Sequence, residues 1–393
     1  MDFDLTPEQK QLEREIHDYL RNKVLTPEIE EELEATGGVD PPEVFKRMVK
    51  QLGTDGWLGI GWPKEYGGQD RSAIEQYIFY DIAMGYYKIP FPMLAVNTVG
   101  PTIMKMGTDE QKKRFLPAIL QGDLHIAVGY TEPEAGSDLA SLKTRAVREG
   151  DYYIINGQKS FTTQAQFADY VWLAARTDPD APKHRGISVF LIDLKTTGIA
   201  VEPLWVYGGH RTNYTFYEDV KVPKDCLIGE ENRGWRYITS QLGLERISLV
   251  CHSQSQRFID DITRWARETK FNGAPVIEQP WVRNKIVDMV VNTEVLKLFN
   301  YRVAWLLTQG ITPPYEPAMI KVFGAENVQR ILGTSLQIMG QYGQLHSNSK
   351  WAPYRGKLEQ RFMMNVQITF GGGAVEILRD MIAMVALGLP RSR

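Results

Sequence analysis

Two polar segments carry the side chains best suited to holding a ligand. The first is the loop Gly129–Asp138 (GYTEPEAGSD), which follows an apolar run, and loops in such positions often bind ligands. The second, Gly157–Thr163 (GQKSFTT), ends a predicted strand and contains an aromatic ring and hydroxyl groups. Glycines, hydroxyls and free backbone N–H groups together suit the edge of a planar heterocycle. A solvated turn explains the first loop equally well on composition alone.

A carboxylate interrupts an apolar stripe in the C-terminal part of the chain. Apolar residues recur there at three- and four-residue steps, as on one face of a helix: Trp235, Ile238, Leu242 and Leu249. Glu245 falls in the same stripe. Charged groups on a core-facing stripe are rarely retained without a partner or a task, and partial desolvation would raise the carboxyl pKa toward that of a general base. A salt bridge to Arg246 or to another cation is the alternative.

The composition excludes several other classes of function. The chain has 393 residues, a formal charge of -3 and 24% charged residues, so it lacks the basic excess of a nucleic-acid-binding protein. It contains two cysteines, Cys226 and Cys251, too few for a disulfide framework. The acidic N-terminus is unlike a signal peptide, and the longest apolar stretches, such as 380–389, are too short for a membrane span. We therefore expect a cytoplasmic protein without a membrane segment.

Common catalytic motifs are missing from the sequence. It contains no P-loop, no G-x-G-x-x-G, no G-x-S-x-G and no H-E-x-x-H pattern. The six histidines are scattered, and none has ligand spacing from another histidine or from a cysteine. The sequence therefore predicts no metal site.

The elements that position these segments follow a helix, strand, helix order. Residues 1–122 show helical spacing, with Thr6 and Gln9 as a helix start. Residues 123–229 contain short β-branched and aromatic runs, at 152–155, 170–173 and 187–191. Long periodic helices return over 230–393. We expect an α+β multidomain protein with an N-terminal helical domain, a small middle β domain and a C-terminal helical domain.

These motifs closely resemble those of the acyl-CoA dehydrogenase family. Its pattern Tyr-Thr-Glu-Pro-x-Ala-Gly-Ser-Asp is matched by the loop Gly129–Asp138, and Gly-x-Lys-x-(Trp)-x-Thr follows at the usual distance. The resemblance extends over essentially the whole chain. It implies a β-barrel or sandwich in the middle domain and a four-helix bundle in the C-terminal domain. It also implies noncovalent FAD, oxidation of an acyl-CoA thioester to the trans-2-enoyl-CoA with hydride transfer to flavin N5, and electron transfer to an electron-transfer flavoprotein.

The resemblance assigns roles to individual residues. Tyr130 and Thr131 would bond the pyrimidine edge of the isoalloxazine, and Thr163 would lie near its N5. Ser137 would face the flavin phosphate or the CoA pantetheine. Phe161 stands where most relatives carry tryptophan, which keeps a flat face and removes an indole N–H donor.

The family supplies its catalytic base from one of two positions, and the sequence selects between them. Aligning Glu376-Ile377-x-Arg379 with the family's C-terminal motif places Gly372 at the first position, where no acid is present. The second position, used by the isovaleryl and long-chain branches, corresponds to Glu245. Glu245 is therefore the predicted base, and the Gly372 N–H would help a flavin hydroxyl to polarise the thioester carbonyl. Substrate contacts are predicted at Ser137, Gly243 and Arg246.

The sequence departs from the family where one subunit completes the FAD site of its neighbour. Three replacements fall there, at Thr269, Asn272 and Gln341, and a fourth change that also affects FAD binding is Ala374, where the family has a threonine. The chain thus resembles the base-bearing subunit of the actinobacterial dehydrogenases for steroid side-chain CoA thioesters, which pair with a paralogous chain as α₂β₂ heterotetramers. In the alternative, Lys270 or Arg267 replaces the lost phosphate contact and the protein is a homotetramer.

The function itself has two alternatives to a dehydrogenase. One is an acyl-CoA oxidase-like variant of the same chemistry. The other is a flavin-poor structural subunit that supports catalysis elsewhere in a heteromer. The glycine Gly243 and the run Gly371–Gly373 remove side-chain volume near the expected site, which suits a bulky acyl group, although glycines also serve helix packing or turns.

Overall fold

The structure is a computed structural model that describes residues 4–35, 42–239 and 250–391. Helices, a sheet and again helices follow one another along the chain, which confirms the predicted α+β fold class. Contacts group the residues into two compact units, each discontinuous in sequence. The helical unit comprises Met1–Pro41, Arg71–Ile89 and Arg246–Arg393, and the sheet unit comprises Pro42–Asp70 and Pro90–Glu245. The domain boundaries at 122 and 229 stay a prediction.

The helices are numbered in chain order. Those of the helical unit are α1 (Pro7–Tyr19), α2 (Pro27–Ala35), α4 (Ala73–Tyr80), α7 (His252–Glu268), α8 (Pro280–Thr308), α9 (Glu316–Met339), α10 (Lys357–Asn365) and α11 (Val375–Leu387). Those of the sheet unit are α3 (Pro42–Thr54), α5 (Gly100–Met106) and α6 (Asp109–Leu120). A π-helical turn, Asp81–Tyr86, directly continues α4.

Capping residues fix where several helices begin. The Thr6 hydroxyl accepts a hydrogen bond from the Gln9 backbone N–H at 3.3 Å, and the Gln9 side chain accepts from the Thr6 N–H at 3.0 Å. This reciprocal pair satisfies two N–H groups that have no partner within the helix. Ser72 with Glu75 and Thr108 with Gln111 form the same arrangement at α4 and α6. The helix start predicted at Thr6 is therefore confirmed.

The sheet unit contains a seven-stranded mixed sheet. Its strands are β1 (Ile126–Gly129), β2 (Arg145–Glu149), β3 (Tyr152–Lys159), β4 (Tyr170–Arg176), β5 (Ile187–Asp193), β6 (Ile199–Val206) and β7 (His210–Pro223). They lie in the order β1-β4-β2-β3-β7-β6, and β5 also pairs with β4. The runs predicted as strands form β3, β4 and β5. The buried residues of these strands are mostly apolar. Trp172 of β4 and Phe190 of β5, two paired strands, are fully buried.

The backbone conformation at Gly157 lets β3 lie close to Thr144, the residue before β2. Gly157 has φ of 153°, and a Cβ atom there would lie 2.7 Å from the Thr144 Cα. Side chains rarely adopt this backbone conformation, and a contact this short forces the backbone to move. The second signature segment begins at Gly157, so its position depends on glycine.

We expect Gly157→Ala to lower the free energy of unfolding by about 2–4 kcal/mol, because overpacking adds to the strain of an unfavourable φ. Gly136→Ala is the matched control, since nothing lies within 4 Å of a Cβ built at Gly136. That variant should stay within about 0.5 kcal/mol of the parent chain. Urea unfolding followed by fluorescence measures both changes. Equal stabilities for the two variants would contradict this account.

The helical unit is organised around α9, which packs against α7, α8, α10 and α11. One of its core clusters combines Phe258 and Ile262 of α7 with Val282 of α8 and Val328 and Leu332 of α9. Long helices with apolar residues on more than one face are typical of a bundle. Most of the apolar residues of α9 are buried, as expected for a helix with neighbours on several sides. The predicted C-terminal helical bundle is confirmed.

Two short strands, β8 (Lys270–Phe271) and β9 (Ala274–Pro275), form a hairpin after α7. The turn residues Asn272 and Gly273 have φ of 52° and 84°. An Asn-Gly pair with positive φ at both positions is the preferred two-residue hairpin turn. The asparagine at position 272 is therefore explained by local backbone geometry.

Candidate functional site

The structure brings the two signature segments into direct contact. β1 ends at Gly129 and leads into the first segment, and β3 ends at Lys159 within the second. The Ser160 N–H donates to the Thr131 carbonyl at 2.8 Å, and the Lys159 ammonium donates to the Tyr130 carbonyl at 3.1 Å. Two segments that are separate in sequence therefore form one surface on the sheet unit.

A buried ion pair joins these segments beneath that surface. Lys159 Nζ lies 2.8 Å from Glu132 Oε1, and the two side chains are 0% and 7% exposed. The Glu132 carboxylate also accepts from the backbone N–H groups of Lys143 at 2.6 Å and Thr144 at 2.8 Å. A buried charge needs such partners because desolvation is otherwise costly. The pair therefore holds both segments to the start of β2.

Burial and pairing change the pKa of both groups. Burial lowers the pKa of Lys159 to about 8, against the opposing effect of Glu132. Burial acts to raise the pKa of Glu132, but the Lys159 charge and the hydrogen bonds outweigh it and hold that pKa below its ordinary value. Each group thus favours the charged form of the other, against the opposing effect of burial.

The surface above this pair presents an aromatic ring and a hydroxyl on a constrained backbone. Phe161 has φ of 58°, an uncommon conformation for a bulky residue, and its side chain is 53% exposed. The following residue is buried, and its N–H donates to the Asn213 carbonyl at 2.8 Å while Asn213 Nδ2 donates back to the Thr162 carbonyl at 3.0 Å. Thr163 Oγ1 lies 3.1 Å from Thr212 Oγ1. Strand β7 therefore fixes this turn.

The Tyr130 side chain is fixed from the other side by β4. Trp172 Nε1 donates to the Tyr130 hydroxyl at 2.8 Å. Ser137 is exposed in the same loop, where the neighbouring Asp138 pairs with Lys183 at 2.9 Å. The loop thus combines a rigid base, at Tyr130 and Thr131, with an exposed tip at Ser137.

These residues fit a planar ring that carries hydrogen-bonding groups along one edge. They supply an exposed aromatic face at Phe161, hydroxyls at Thr131 and Thr163, and a backbone held in place from below. The buried Ser160 Oγ has no hydrogen-bond partner among the described residues, so one polar atom beside the surface is still unsatisfied. The isoalloxazine of FAD has the required shape and edge chemistry.

The other predicted site residues are not among the described residues of the sheet unit. Gly243, Glu245 and Arg246 lie outside the described residues. Gly372 belongs to the helical unit, where it has φ of 71° in the turn before α11. That conformation favours glycine on its own account. The roles predicted for these residues stay predictions.

Sequence reasoning missed the Glu132–Lys159 pair, although a signal for it exists. Lys159 has the same strand parity as the buried residues Tyr153 and Ile155, so alternation along β3 places it on the core face. A charge at such a position requires a buried partner of opposite sign. Glu132 is one of three acids in the preceding signature loop, with Glu134 and Asp138.

The described residues also bear on metal and membrane chemistry. Within residues 4–35, 42–239 and 250–391, no three His, Cys, Asp or Glu side chains form a group that could hold a metal ion. No helix over the same ranges has the length and apolar character of a membrane span.

Burial raises the pKa of the Cys226 thiol to about 11, which keeps it protonated at neutral pH.

Family comparisons agree with the fold. The chain matches the family described as "Acyl-CoA dehydrogenase, N-terminal domain" over residues 6–123, "middle domain" over 127–220 and "C-terminal domain" over 232–387. The chain therefore belongs to the acyl-CoA dehydrogenase family, and it is an oxidoreductase of that class. Members of this family typically bind FAD.

Individual relatives are similar over their full length. The chain is 43% identical to acyl-CoA dehydrogenase FadE26 of Mycobacterium tuberculosis over 400 residues, covering 100% of both chains. Its structure is similar to "Tcur3481-Tcur3483 steroid ACAD", with a TM-score of 0.92, 43% identity and 100% coverage of both chains. It is also similar to the ChsE4-ChsE5 complex from Mycobacterium tuberculosis, with a TM-score of 0.91, 43% identity and 100% coverage of both.

Proposed function

We propose that this chain carries out FAD-dependent α,β-dehydrogenation of an acyl-CoA thioester, with Glu245 as the base that removes the α-proton. The observation that carries the proposal is the rigid surface formed by the two signature segments over the Glu132–Lys159 pair. It provides the shape and hydrogen-bonding groups that a flavin ring requires. FAD, when bound, supplies an acceptor for the hydride that leaves the substrate β-carbon.

The chain's own residues would position the reactants and move the proton. Tyr130 and Thr131 would hold the polar edge of the ring, while Phe161 would cover its face and Thr163 would lie near N5. The Gly372 N–H would polarise the thioester carbonyl and so acidify the α-proton. Glu245 would then accept that proton, as a general base within hydrogen-bond reach of the substrate.

For the substrate, we propose a CoA thioester with a bulky acyl group of the steroid side-chain class. Substrate contacts are assigned to Ser137, Gly243 and Arg246. The support comes from a structural neighbour described as a steroid ACAD. The glycines at 372 and 373 have φ of 71° and 111°, so they also serve the turn into α11.

We propose a paralogous chain as the partner, in an α₂β₂ heterotetramer located in the cytoplasm. Two structural neighbours are described by paired names, Tcur3481-Tcur3483 and ChsE4-ChsE5. The helical unit of this chain also exposes large apolar side chains on α8 and α11: Trp281, Val287, Val291, Leu298, Trp305, Ile377, Val385 and Leu387. Exposed apolar surface of this extent is typical of a protein interface. A homotetramer is the alternative assembly.

The flavin content of the purified chain tests the partner. We expect the chain expressed alone to carry well under one FAD per chain. Each FAD site would then be completed by a second copy of this chain, which lacks the family's FAD contacts at Thr269 and Gln341. Co-expression with its paralogous partner should bring the ratio to about one FAD per pair of chains. Visible absorption and protein quantification give both ratios. Stoichiometric FAD in the chain alone would support the homotetramer.

The electron acceptor distinguishes a dehydrogenase from an oxidase-like variant. We propose an electron-transfer flavoprotein as the acceptor, because that is the acceptor implied by the family resemblance. Flavin reduced by substrate should then persist in air over the time of several turnovers. The visible absorption of the flavin measures its reoxidation. Rapid reoxidation by oxygen would favour the oxidase variant instead.

A further inference from the structure

An aromatic pocket of about 300 Å³ opens on the helical unit beside the end of α7. Its wall includes four aromatic side chains, one carboxylate and one threonine: Trp265, Tyr342, Trp351, Tyr354, Glu268 and Thr269. None of these residues belongs to the surface proposed to hold the flavin ring. The pocket also includes position 269, where the family resemblance leads one to expect an arginine.

The pocket wall is held in place from behind. Trp265 packs against the core cluster of α7, α8 and α9, and its ring centroid lies 6.5 Å from that of Tyr342 at an interplanar angle of 58°. Tyr354 has φ of 49°, an uncommon backbone conformation, and its hydroxyl donates to the Asp261 carbonyl at 2.8 Å. Rings constrained in this way bind a ligand without first losing conformational freedom.

The chemistry of the wall favours a cation. The faces of aromatic rings are negative because of their quadrupole, and they attract Lys or Arg side chains. Glu268 is the ionisable carboxylate of the wall, and no Lys, Arg or His is among the residues that line it. The Lys350 ammonium already lies 5.1 Å from the centroid of the Trp351 ring. The lining residues thus carry one negative charge and no positive one, and one of their rings already attracts a cation.

The exposure of the rim favours a protein partner over a small cation. Trp351 and Tyr342 are 69% and 52% exposed. A small ion would leave most of this apolar surface in water, whereas exposed Trp and Tyr side chains are enriched at the energetic centres of protein interfaces. A planar guanidinium stacks on aromatic rings and can donate a forked pair of hydrogen bonds to a carboxylate, which an ammonium cannot do as well.

We infer that this pocket receives an arginine side chain of the partner subunit, with its guanidinium between the aromatic rings and against Glu268. The identity of the partner rests on the proposed two-chain assembly, whereas the cation preference of the pocket does not. The chain would thus offer its partner a cation-binding pocket at position 269, where the family resemblance implies an arginine.

The cation preference is tested on the full-length chain with two small probes of nearly equal shape. N-acetyl-arginine amide is the charged probe, and N-acetyl-citrulline amide is its neutral counterpart. Tryptophan fluorescence should report saturable binding of the arginine probe with a Kd of about 1–10 mM. Citrulline should bind at least about tenfold more weakly. Equal binding of both probes, or tighter binding of adenosine, would overturn the inference.

Two variants assign the signal to this pocket and to the assembly. Glu268→Gln should weaken the arginine probe by about three- to tenfold, while Glu278→Gln, an exposed acid outside the pocket, should leave it unchanged. In the two-chain assembly, Glu268→Gln should also raise dissociation on dilution. Probe binding with an unaffected assembly would overturn the partner contact. The test of dehydrogenation uses Glu245 and turnover, so failure of the proposed function would be seen separately.

Discussion

Replacing Glu245 by glutamine in the flavin-loaded assembly is expected to lower the rate of acyl-CoA dehydrogenation by about 10²–10⁴-fold. Glutamine keeps the size of the side chain but cannot accept the α-proton, so the loss should fall on the chemical step. The flavin content should stay unchanged, because the surface proposed to hold the ring lies in other segments. Single-turnover flavin bleaching with an acyl-CoA substrate measures the step directly.

Glu376→Gln is the matched control for this experiment. Glu376 is exposed near the start of α11, in the stretch where other family members carry their base, and its replacement should leave the rate within about twofold. Unchanged turnover in the Glu245 variant, with flavin retained, would exclude this carboxylate as the base. That result would favour the flavin-poor structural subunit, with catalysis on the other chain.

Replacing Lys159 by methionine is expected to lower the free energy of unfolding by about 3–5 kcal/mol, because the Glu132 carboxylate would stay buried without its counterion. The same change should weaken flavin binding, since Lys159 also donates to the Tyr130 carbonyl. Urea unfolding and flavin release on dilution measure the two effects.

The exposed pair Lys183–Asp138 provides the control on the same loop. Its N–O distance of 2.9 Å is close to that of the buried pair, but its side chains are 52% and 58% exposed. Lys183→Met should therefore cost under about 1 kcal/mol. Combining Glu132→Gln with Lys159→Met should recover part of the stability, because no buried charge is left. Equal losses for the buried and exposed lysines would show that the Glu132–Lys159 pair has no special structural role.

The sequence predicted the parts of this protein that are encoded locally. Short β-branched runs became β3, β4 and β5, and the capping pair at Thr6 and Gln9 marks the start of α1. The two signature segments were identified from residue types alone, and the structure shows that they touch through Ser160 and Thr131. Each of these features depends on residues within a few positions of one another or on a distinctive motif.

Interactions between distant segments could not be predicted in this way. Asp81 lies in a stretch correctly predicted as helical, but its carboxylate is buried and accepts from the Ser253 N–H at 3.1 Å, so it caps α7. His252 Nδ1 lies 3.1 Å from the same carboxylate, and the charge and hydrogen bonds from α7 outweigh burial and lower the Asp81 pKa. Helical periodicity identifies Asp81 as a polar residue within a helix. It cannot predict that the partner of this carboxylate is Ser253, 172 residues further along the chain.

The division into discontinuous units also has a consequence for how the chain folds as it is synthesised. All of the sheet unit except its first part, Pro42–Asp70, comes from one continuous stretch, Pro90–Glu245, so it can form before the last helices have left the ribosome. α4 packs against α8, which begins at Pro280, so the early helices of the helical unit must wait for residues made much later. At roughly 5–20 residues per second this interval lasts on the order of ten seconds or more. During it, the face of α4 that packs against α8 is without its final partner, and we expect a chaperone to cover it.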